Sequence, residues 1–479
     1  MKASASVFAM LLCVGLLGSA CSRPDPPPLA GDFTCQAGAW VLEDGATLAI
    51  TPATTGLRYR LFDGRTGNLQ AEGKAPGDTL QAREGWREDG PFVATARFGS
   101  CSDGRMDFAL VDGPRGTATR MPLEVTETRF ANDGLQLRGR LLLPADAPAT
   151  APVPLAVLVH GSESYSAVDS YPMQYLLPAR GIAVFVYDKR GTGESEGEYT
   201  QDFHALAGDA VAALAEARRL HPAGFARAGF VGSSQGGWIA PLAASRSDAD
   251  YVVALYGLAE SALAEDREQV MNDLRAKGHG DAVLAQAREV TDVTGTLIAS
   301  GFTRGFEELR AVHAKYGDAP WFADIQGEFS GQILQFPPWM PEWVARTVAS
   351  RHDVGTSWGY EPLPVLKSLA ARQLWVVAGD DLEAPNGETL RRLRALQARQ
   401  RPLDLAVFPG TDHGILEFDA SGAERVMLRH PDGYFRLIVD WIANQELRGA
   451  YGSALLDPAT GGQPASPTPG NTLAPSAAD

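Results

Sequence analysis

Two kinds of hydrophobic patterning divide this chain. Over residues 32–120, apolar and polar positions alternate, as in Leu57-Arg58-Tyr59-Arg60-Leu61 and Phe92-Val93-Ala94-Thr95-Ala96-Arg97-Phe98. Alternation at period two describes strands with one buried face. The Asp44-Gly45, Asp63-Gly64 and Asp103-Gly104 pairs between such runs suit tight hairpin turns, which need positive φ. The pattern predicts a small antiparallel β domain, a sandwich or a barrel. A longer hairpin follows, Glu124–Phe130 and Leu135–Leu143, joined through Asn132-Asp133-Gly134. From Leu155 onward the pattern changes to short, unbroken apolar runs separated by helical stretches. Leu155–Val159, Ile182–Tyr187, Tyr251–Leu255, Leu374–Ala378 and Leu403–Phe408 are such runs. Strands without alternation are buried on both faces, which predicts a parallel sheet with helices on either side. This α/β region covers residues 121–256 and 361–447. Residues 257–360 interrupt it, first helical and charged, then aromatic and proline-rich around Trp321-Phe322, Phe336 to Pro341 and Trp343.

The two ends differ from the middle. Lys2 followed by the apolar run Val7–Leu17 is too short to span a bilayer and fits a signal peptide over residues 1–20. Leu17-Gly18-Ser19-Ala20-Cys21 resembles a bacterial lipobox, which implies a lipid on Cys21 and a membrane anchor facing the periplasm or exterior. Ordinary cleavage after Ala20, giving a soluble periplasmic or secreted protein, is the alternative. The proline-rich residues 21–31 suit an extended tether. Cys35 and Cys101 remain once Cys13 and Cys21 are set aside. In an oxidising compartment they are expected to pair, the alternative being two free buried thiols. Residues 451–479, rich in Pro, Gly, Ala and Ser, are expected to be disordered. A formal net charge of −16 disfavours nucleic acid as a partner.

The chemistry concentrates at strand ends. Gly232-Ser233-Ser234-Gln235-Gly236 closes an apolar run and opens helix-compatible sequence. A Gly-x-Ser-x-Gly there holds the serine on a strained turn, hydroxyl outward. A nucleophilic serine needs a base to take its proton and an acid to orient that base. Asp380-Asp381 follows the strand ending at Ala378, and His413 follows the strand ending at Phe408. Upstream, strand ends run into His160-Gly161-Ser162 and Asp188-Lys189-Arg190-Gly191-Thr192-Gly193.

This constellation resembles the α/β-hydrolase superfamily, over roughly residues 122–447, and especially its bacterial esterases and serine aminopeptidase-like members. The resemblance implies a Ser234–His413–Asp381 triad and an oxyanion hole made by the amides of Gln235 and Ser162. It further implies that residues 257–360 form a cap over the site. One departure concerns the acid. Many relatives place it where Leu382 stands here. Counting back from Pro385 favours Asp381, with Asp380 the alternative. His160 is expected to be structural, and Asp188 and Arg190 to pin loops. The remaining histidines lack metal-ligand spacing, so neither metal nor organic cofactor is expected.

The expected activity is hydrolysis of a small-molecule carboxylic ester or other acyl substrate through an acyl-enzyme. The alternative is an aminopeptidase-like enzyme, for which Glu260, Asp266 and Glu268 are candidate partners of a substrate ammonium. A non-catalytic envelope binding protein is the third reading. The aromatic residues of the cap either line an acyl pocket or form the cap's own core; the sequence leaves both open.

Overall fold

The alternating segment closes on itself. In the computed structural model, which describes residues 33–71, 79–144, 152–351, 353–422 and 424–459, eight strands form a barrel: β1 (Gly38–Leu42), β2 (Thr47–Pro52), β3 (Leu57–Leu61), β4 (Thr66–Ala71), β5 (Leu80–Ala82), β6 (Ala94–Phe98), β7 (Arg105–Leu110) and β8 (Arg115–Arg120). Each pairs antiparallel with the next, and β8 returns to β1, so no edge is left open. Leu57, Tyr59 and Leu61 point inward with Trp40, Leu48 and Phe108. Gly45, Gly64 and Gly104 take the positive φ their turns require. Cys35 and Cys101 form a disulfide with their Cα atoms 5.4 Å apart. It fastens the chain entering the barrel to the β6–β7 turn. The signal segment, Cys21 and the tether lie outside the described residues.

The hairpin β9 (Leu123–Asn132) and β10 (Leu135–Pro144) opens a nine-stranded sheet. Its centre is parallel: β11 (Leu155–Val159), β12 (Ala183–Tyr187), β13 (Ala228–Ser233), β14 (Tyr251–Leu255), β15 (Arg372–Ala378) and β16 (Leu403–Phe408). The order across the sheet is β9-β10-β12-β11-β13-β14-β15-β16, so the carboxyl ends of β11, β13, β15 and β16 share one edge. Apolar clusters cover both faces, which is why these strands read as continuous hydrophobic runs. Small strands β17 (Thr411–Asp412), β18 (Leu416–Asp419) and β19 (Val426–Arg429) follow β16 as a separate three-stranded sheet.

The expectation of a disordered tail from residue 451 fails over its first part. Leu455–Asp457 forms β20, antiparallel to β16 at the sheet edge, and Tyr451 is fully buried. Ala459 N–H donates to Asp404 Oδ1 at 2.8 Å, and Gln397 Nε2 donates to Asp457 O at 2.8 Å. An open strand edge offered these backbone groups a ladder, which composition alone does not reveal.

Between β14 and β15 the chain forms helices at Ala262–Ala276, Asp281–Ala299, Phe306–Tyr316 and Glu342–Ser350. Trp321, Phe322 and Phe336 are buried with the apolar faces of these helices, so they form the cap's own core. Trp339 and Trp343 instead face solvent, 68% and 71% exposed. The barrel packs against the hydrolase region. Ala39 and Ala49 join a cluster with Met173, Tyr175 and Leu176, and Phe62 stacks on Phe435. At the β3–β4 turn, His430 N–H donates to Gly64 O at 3.1 Å, and a Cβ on Gly64 would meet His430 O at 2.1 Å.

Candidate active site

The site begins with the turn after β13. Ser234 has φ 52°, in the left-handed region where a side chain is strained by roughly 1–3 kcal/mol. Its neighbours explain why the turn persists. A Cβ on Gly232 would lie 2.1 Å from Gly236 O, one on Gly236 2.3 Å from Val159 O, and one on Gly237 2.6 Å from Gly257 Cα. Backbone therefore passes on three sides where only glycine fits. Ser234 N–H donates to Leu255 O at 2.9 Å, and the helix Gly236–Ala244 starts behind it.

His413 reaches this hydroxyl. Its Nε2 lies 3.0 Å from Ser234 Oγ, while its Nδ1 lies 3.0 and 3.3 Å from the two carboxylate oxygens of Asp381. Asp381 is buried, and its Oδ1 also accepts the Ala384 N–H at 2.8 Å. Asp380 faces elsewhere: its Oδ2 accepts from Gly410 N–H at 2.8 Å, and its own N–H donates to Thr411 O at 2.9 Å. Of the two adjacent carboxylates, the structure brings Asp381 to His413 and uses Asp380 to hold the neighbouring loop. Burial pushes the imidazole of His413 toward neutrality. The hydrogen bond and charge of Asp381, with Glu383 and Asp412 nearby, outweigh this and raise its pKa above the ordinary value.

A second layer ties these loops together. Asp412 Oδ1 accepts from His413 N–H at 2.8 Å and from Leu382 N–H at 2.9 Å. Arg425 Nη1 donates to Asp412 Oδ2 and to Asp380 O, both at 2.7 Å. Asp412 and Arg425 thus join the loop carrying the carboxylate to the loop carrying the imidazole. The sequence placed Asp412 beside His413 without giving it a role, and Arg425 carries no local signal.

The loop after β11 is held with equal care. Lys189 Nζ donates to Gly161 O at 2.6 Å, Tyr171 Oη accepts from Gly161 N–H at 3.2 Å, and the Tyr199 hydroxyl donates to Ser162 O. The Tyr171 hydroxyl donates to Glu163 Oε1 at 3.2 Å. Among the described residues, the amides of Gln235 and Ser162 meet no acceptor. His160 is buried, with Nε2 accepting from Lys189 N–H at 3.3 Å; burial, then Lys189, lowers its pKa, so it stays neutral. Burial pushes the Glu163 carboxyl up, but His160 and Lys189 prevail and keep it ionised. Arg190 grips Asp209 at 2.8 Å through both Nε and Nη2, while Asp188 accepts from the Ser166 hydroxyl at 2.7 Å and lies 3.7 Å from Arg138.

Tyr256 is a residue the sequence did not single out. It follows β14 with φ 42°, and its ring sits edge-on to His413 at 5.0 Å. The cap contributes Glu265, whose carboxyl is pushed well up by burial and by the charges of Glu328, Glu383 and Asp381. The three cap carboxylates proposed from sequence are not assembled around Ser234. Asp266 accepts from Phe329 N–H, Ser330 N–H and the Ser330 hydroxyl, Glu260 is buried, and Glu268 lines a cleft of 400 Å³ behind Asp381. That cleft touches Asp381 but neither Ser234 nor His413. Among the described residues no cluster of three or more His, Cys, Asp or Glu is placed to hold a metal ion.

A model described as the alpha/beta hydrolase family matches residues 156–426. No curated protein matches the chain. Among solved structures it is similar to the acylaminoacyl peptidase of Pyrococcus horikoshii, at 15% identity and TM-score 0.39, covering 78% of this chain and 51% of that one. It therefore spans about half the length of that peptidase. It is also similar to an esterase of Pyrococcus furiosus, at 15% identity and TM-score 0.38, covering 61% of this chain and 83% of the esterase. An alpha/beta hydrolase from Penicillium gives 17% identity and TM-score 0.37, with 61% and 91% covered.

Proposed function

Because the chain belongs to the alpha/beta hydrolase family, we propose that it is a serine hydrolase that cleaves carboxylic esters through an acyl-enzyme on Ser234. The observation that carries this reading is the unbroken contact chain from Ser234 Oγ to His413 Nε2 at 3.0 Å and from His413 Nδ1 to Asp381 Oδ2 at 3.0 Å. Ser234 Oγ attacks the ester carbonyl carbon as His413 Nε2 takes its proton. Asp381 fixes the tautomer and stabilises the imidazolium that forms. The oxyanion is received by the amides of Gln235 and Ser162, each such donor contributing roughly 3 kcal/mol. His413 then protonates the departing alkoxide. Water, deprotonated by the same imidazole, releases the acid and restores Ser234.

Esters lead because none of the cap carboxylates proposed to hold an ammonium stands at Ser234. A second reading, cleavage after an N-terminal residue, is favoured by one observation. Glu383 Oε1 lies 3.8 Å from His413 Nε2, close enough to face an amine on the substrate. We also propose that Cys21 carries a lipid holding the enzyme to the bacterial envelope, with a soluble periplasmic form as the alternative. Loss of membrane partitioning in Cys21→Ser tests the anchor.

The enzymatic reading is tested with p-nitrophenyl acyl esters and aminoacyl p-nitroanilides, using wild type and Ser234→Ala. Ester turnover should fall by at least ~10⁴ in the variant, with anilides cleaved poorly by both. Anilide cleavage at comparable kcat/KM would move the assignment to a peptidase. Ester turnover surviving in Ser234→Ala would sink the acyl-enzyme mechanism.

A further inference from the structure

The barrel carries a charged side chain at its boundary with the hydrolase region, on β3 opposite Ala49 and two residues before Phe62. Along β3 the inward positions are apolar, which leaves Arg58 and Arg60 on the outer face. Arg58 is engaged locally: Nη1 donates to Gly85 O at 2.9 Å and the guanidinium lies 4.1 Å over the Trp86 ring. Arg60 is not. It donates to the Thr51 hydroxyl at 3.2 Å, and among the described residues it has no carboxylate partner.

Its surroundings lie across the interface. The β3–β4 turn just beyond it is fastened to the hydrolase region by His430 N–H on Gly64 O and by Arg429 Nη2 on Asp63 O at 2.8 Å. Arg60 stands within electrostatic reach of Tyr165, Tyr256 and His430. Tyr256 in turn packs on His413 and feels Arg60 together with Glu163 and Glu383. Arg60 is only partly exposed, and burial pushes its guanidinium down to about 10, so it remains charged at neutral pH. The carboxylates Glu163 and Glu383 belong to the Ser162 and Asp381 loops of the hydrolase region. An anion is therefore best received on the barrel side. A partly buried guanidinium with unused donors fits a carboxylate in bidentate fashion.

We propose that Arg60 is a specificity-determining residue contributed by the barrel, receiving a carboxylate on the substrate, so that the preferred esters are those bearing a free carboxylate remote from the scissile bond. This rests on the serine-hydrolase reading above. It also gives the barrel a task in substrate selection.

The test uses two p-nitrophenyl alkylphosphonates of equal chain length, one ending in a carboxylate and the other in its methyl ester. Phosphonylation of Ser234 reports the reactivity of the serine whatever its natural substrate. Wild type should react faster with the carboxylate reagent by roughly ten- to a hundredfold, the range of a charge-assisted contact. Arg60→Met should bring that ratio to about one, and Arg60→Lys should keep part of it. Far-ultraviolet circular dichroism confirms that each variant folds. A ratio near one in wild type, or a ratio unchanged in Arg60→Met, overturns the proposal while leaving the hydrolase reading intact. No phosphonylation by either reagent overturns both.

Discussion

The two halves of the site are built by different means. The serine half is fixed from within a few residues: Gly232, Gly236 and Gly237 admit backbone that no side chain would tolerate, and Ser234 is held at φ 52° by that crowding. The half proposed for acid–base work is fixed at long range. His413 and Asp381 lie 32 residues apart, and their loops are joined through Asp412, Asp380 and Arg425. Local steric necessity makes the first half a pattern readable along the chain. Hydrogen bonds between distant loops make the second half tunable and hard to see before folding.

The sharpest break of this contrast is within the acid–base half. Asp381→Asn should lower kcat by roughly 10⁴, because the amide favours the wrong tautomer of His413. The pH dependence should move as well. His413 must be neutral to accept the proton, so activity rises as pH climbs through its pKa. That pKa is held above its ordinary value of 6.5 by Asp381 against the opposing effect of burial. With Asp381 neutralised, the acid limb of kcat/KM shifts to lower pH. Asp380→Asn keeps an oxygen for Gly410 N–H and should cost at most roughly threefold, about 0.6 kcal/mol. Equal losses in the two variants would reassign the acid.

What could be read in advance follows the same division. The elbow, the strand ends, and the carboxylates and imidazole that follow them are legible because each is a local pattern of residues after an apolar run. In the sequence, the spacing to Pro385 favours Asp381 over Asp380. The structure separates the two by contacts, one to His413 and the other to Gly410 N–H. Arg425 could not be read, since a lone arginine between β18 and β19 resembles any solvated charge. Tyr256 looked like the ordinary end of a buried strand. The pairing of Leu455–Asp457 with β16 was hidden for a further reason, because the open edge that recruits it exists only once the sheet has formed.

Arg425→Met probes the long-range fastening without touching the reacting groups. It removes two charge-assisted hydrogen bonds, to Asp412 Oδ2 and Asp380 O. The looser loops should lower kcat by roughly tenfold, about 1.4 kcal/mol, with KM little changed. The sign of the pH effect distinguishes this from simple damage. Asp412 already raises the pKa of His413, and losing Arg425 leaves its carboxylate uncompensated. The acid limb should therefore move to higher pH, opposite to Asp381→Asn. An unmoved limb with the same fall in kcat would show that Arg425 supports the fold and not the position of His413.

The smallest effect on catalysis is expected from the most remote fastening. The Cys35–Cys101 disulfide closes a separation of 66 residues, worth about 4 kcal/mol in the chain-entropy account. It acts on the unfolded barrel and makes no contact with Ser234, His413 or Asp381. Cys35→Ala should therefore lower the midpoint of barrel unfolding in denaturant while kcat/KM toward a neutral ester at 25 °C stays within about twofold of wild type, under 0.5 kcal/mol. The barrel does touch the acid–base side, since Arg87 Nη2 donates to Asp419 on β18 at 2.6 Å and Gly64 O holds His430. A variant whose barrel remains folded should keep these contacts and hence the geometry of His413. If kcat/KM instead fell tenfold while the barrel's circular dichroism was unchanged, the barrel would have to stiffen the His413 loop directly. The contrast between a locally fixed serine and a remotely fixed base would then extend across the domain interface.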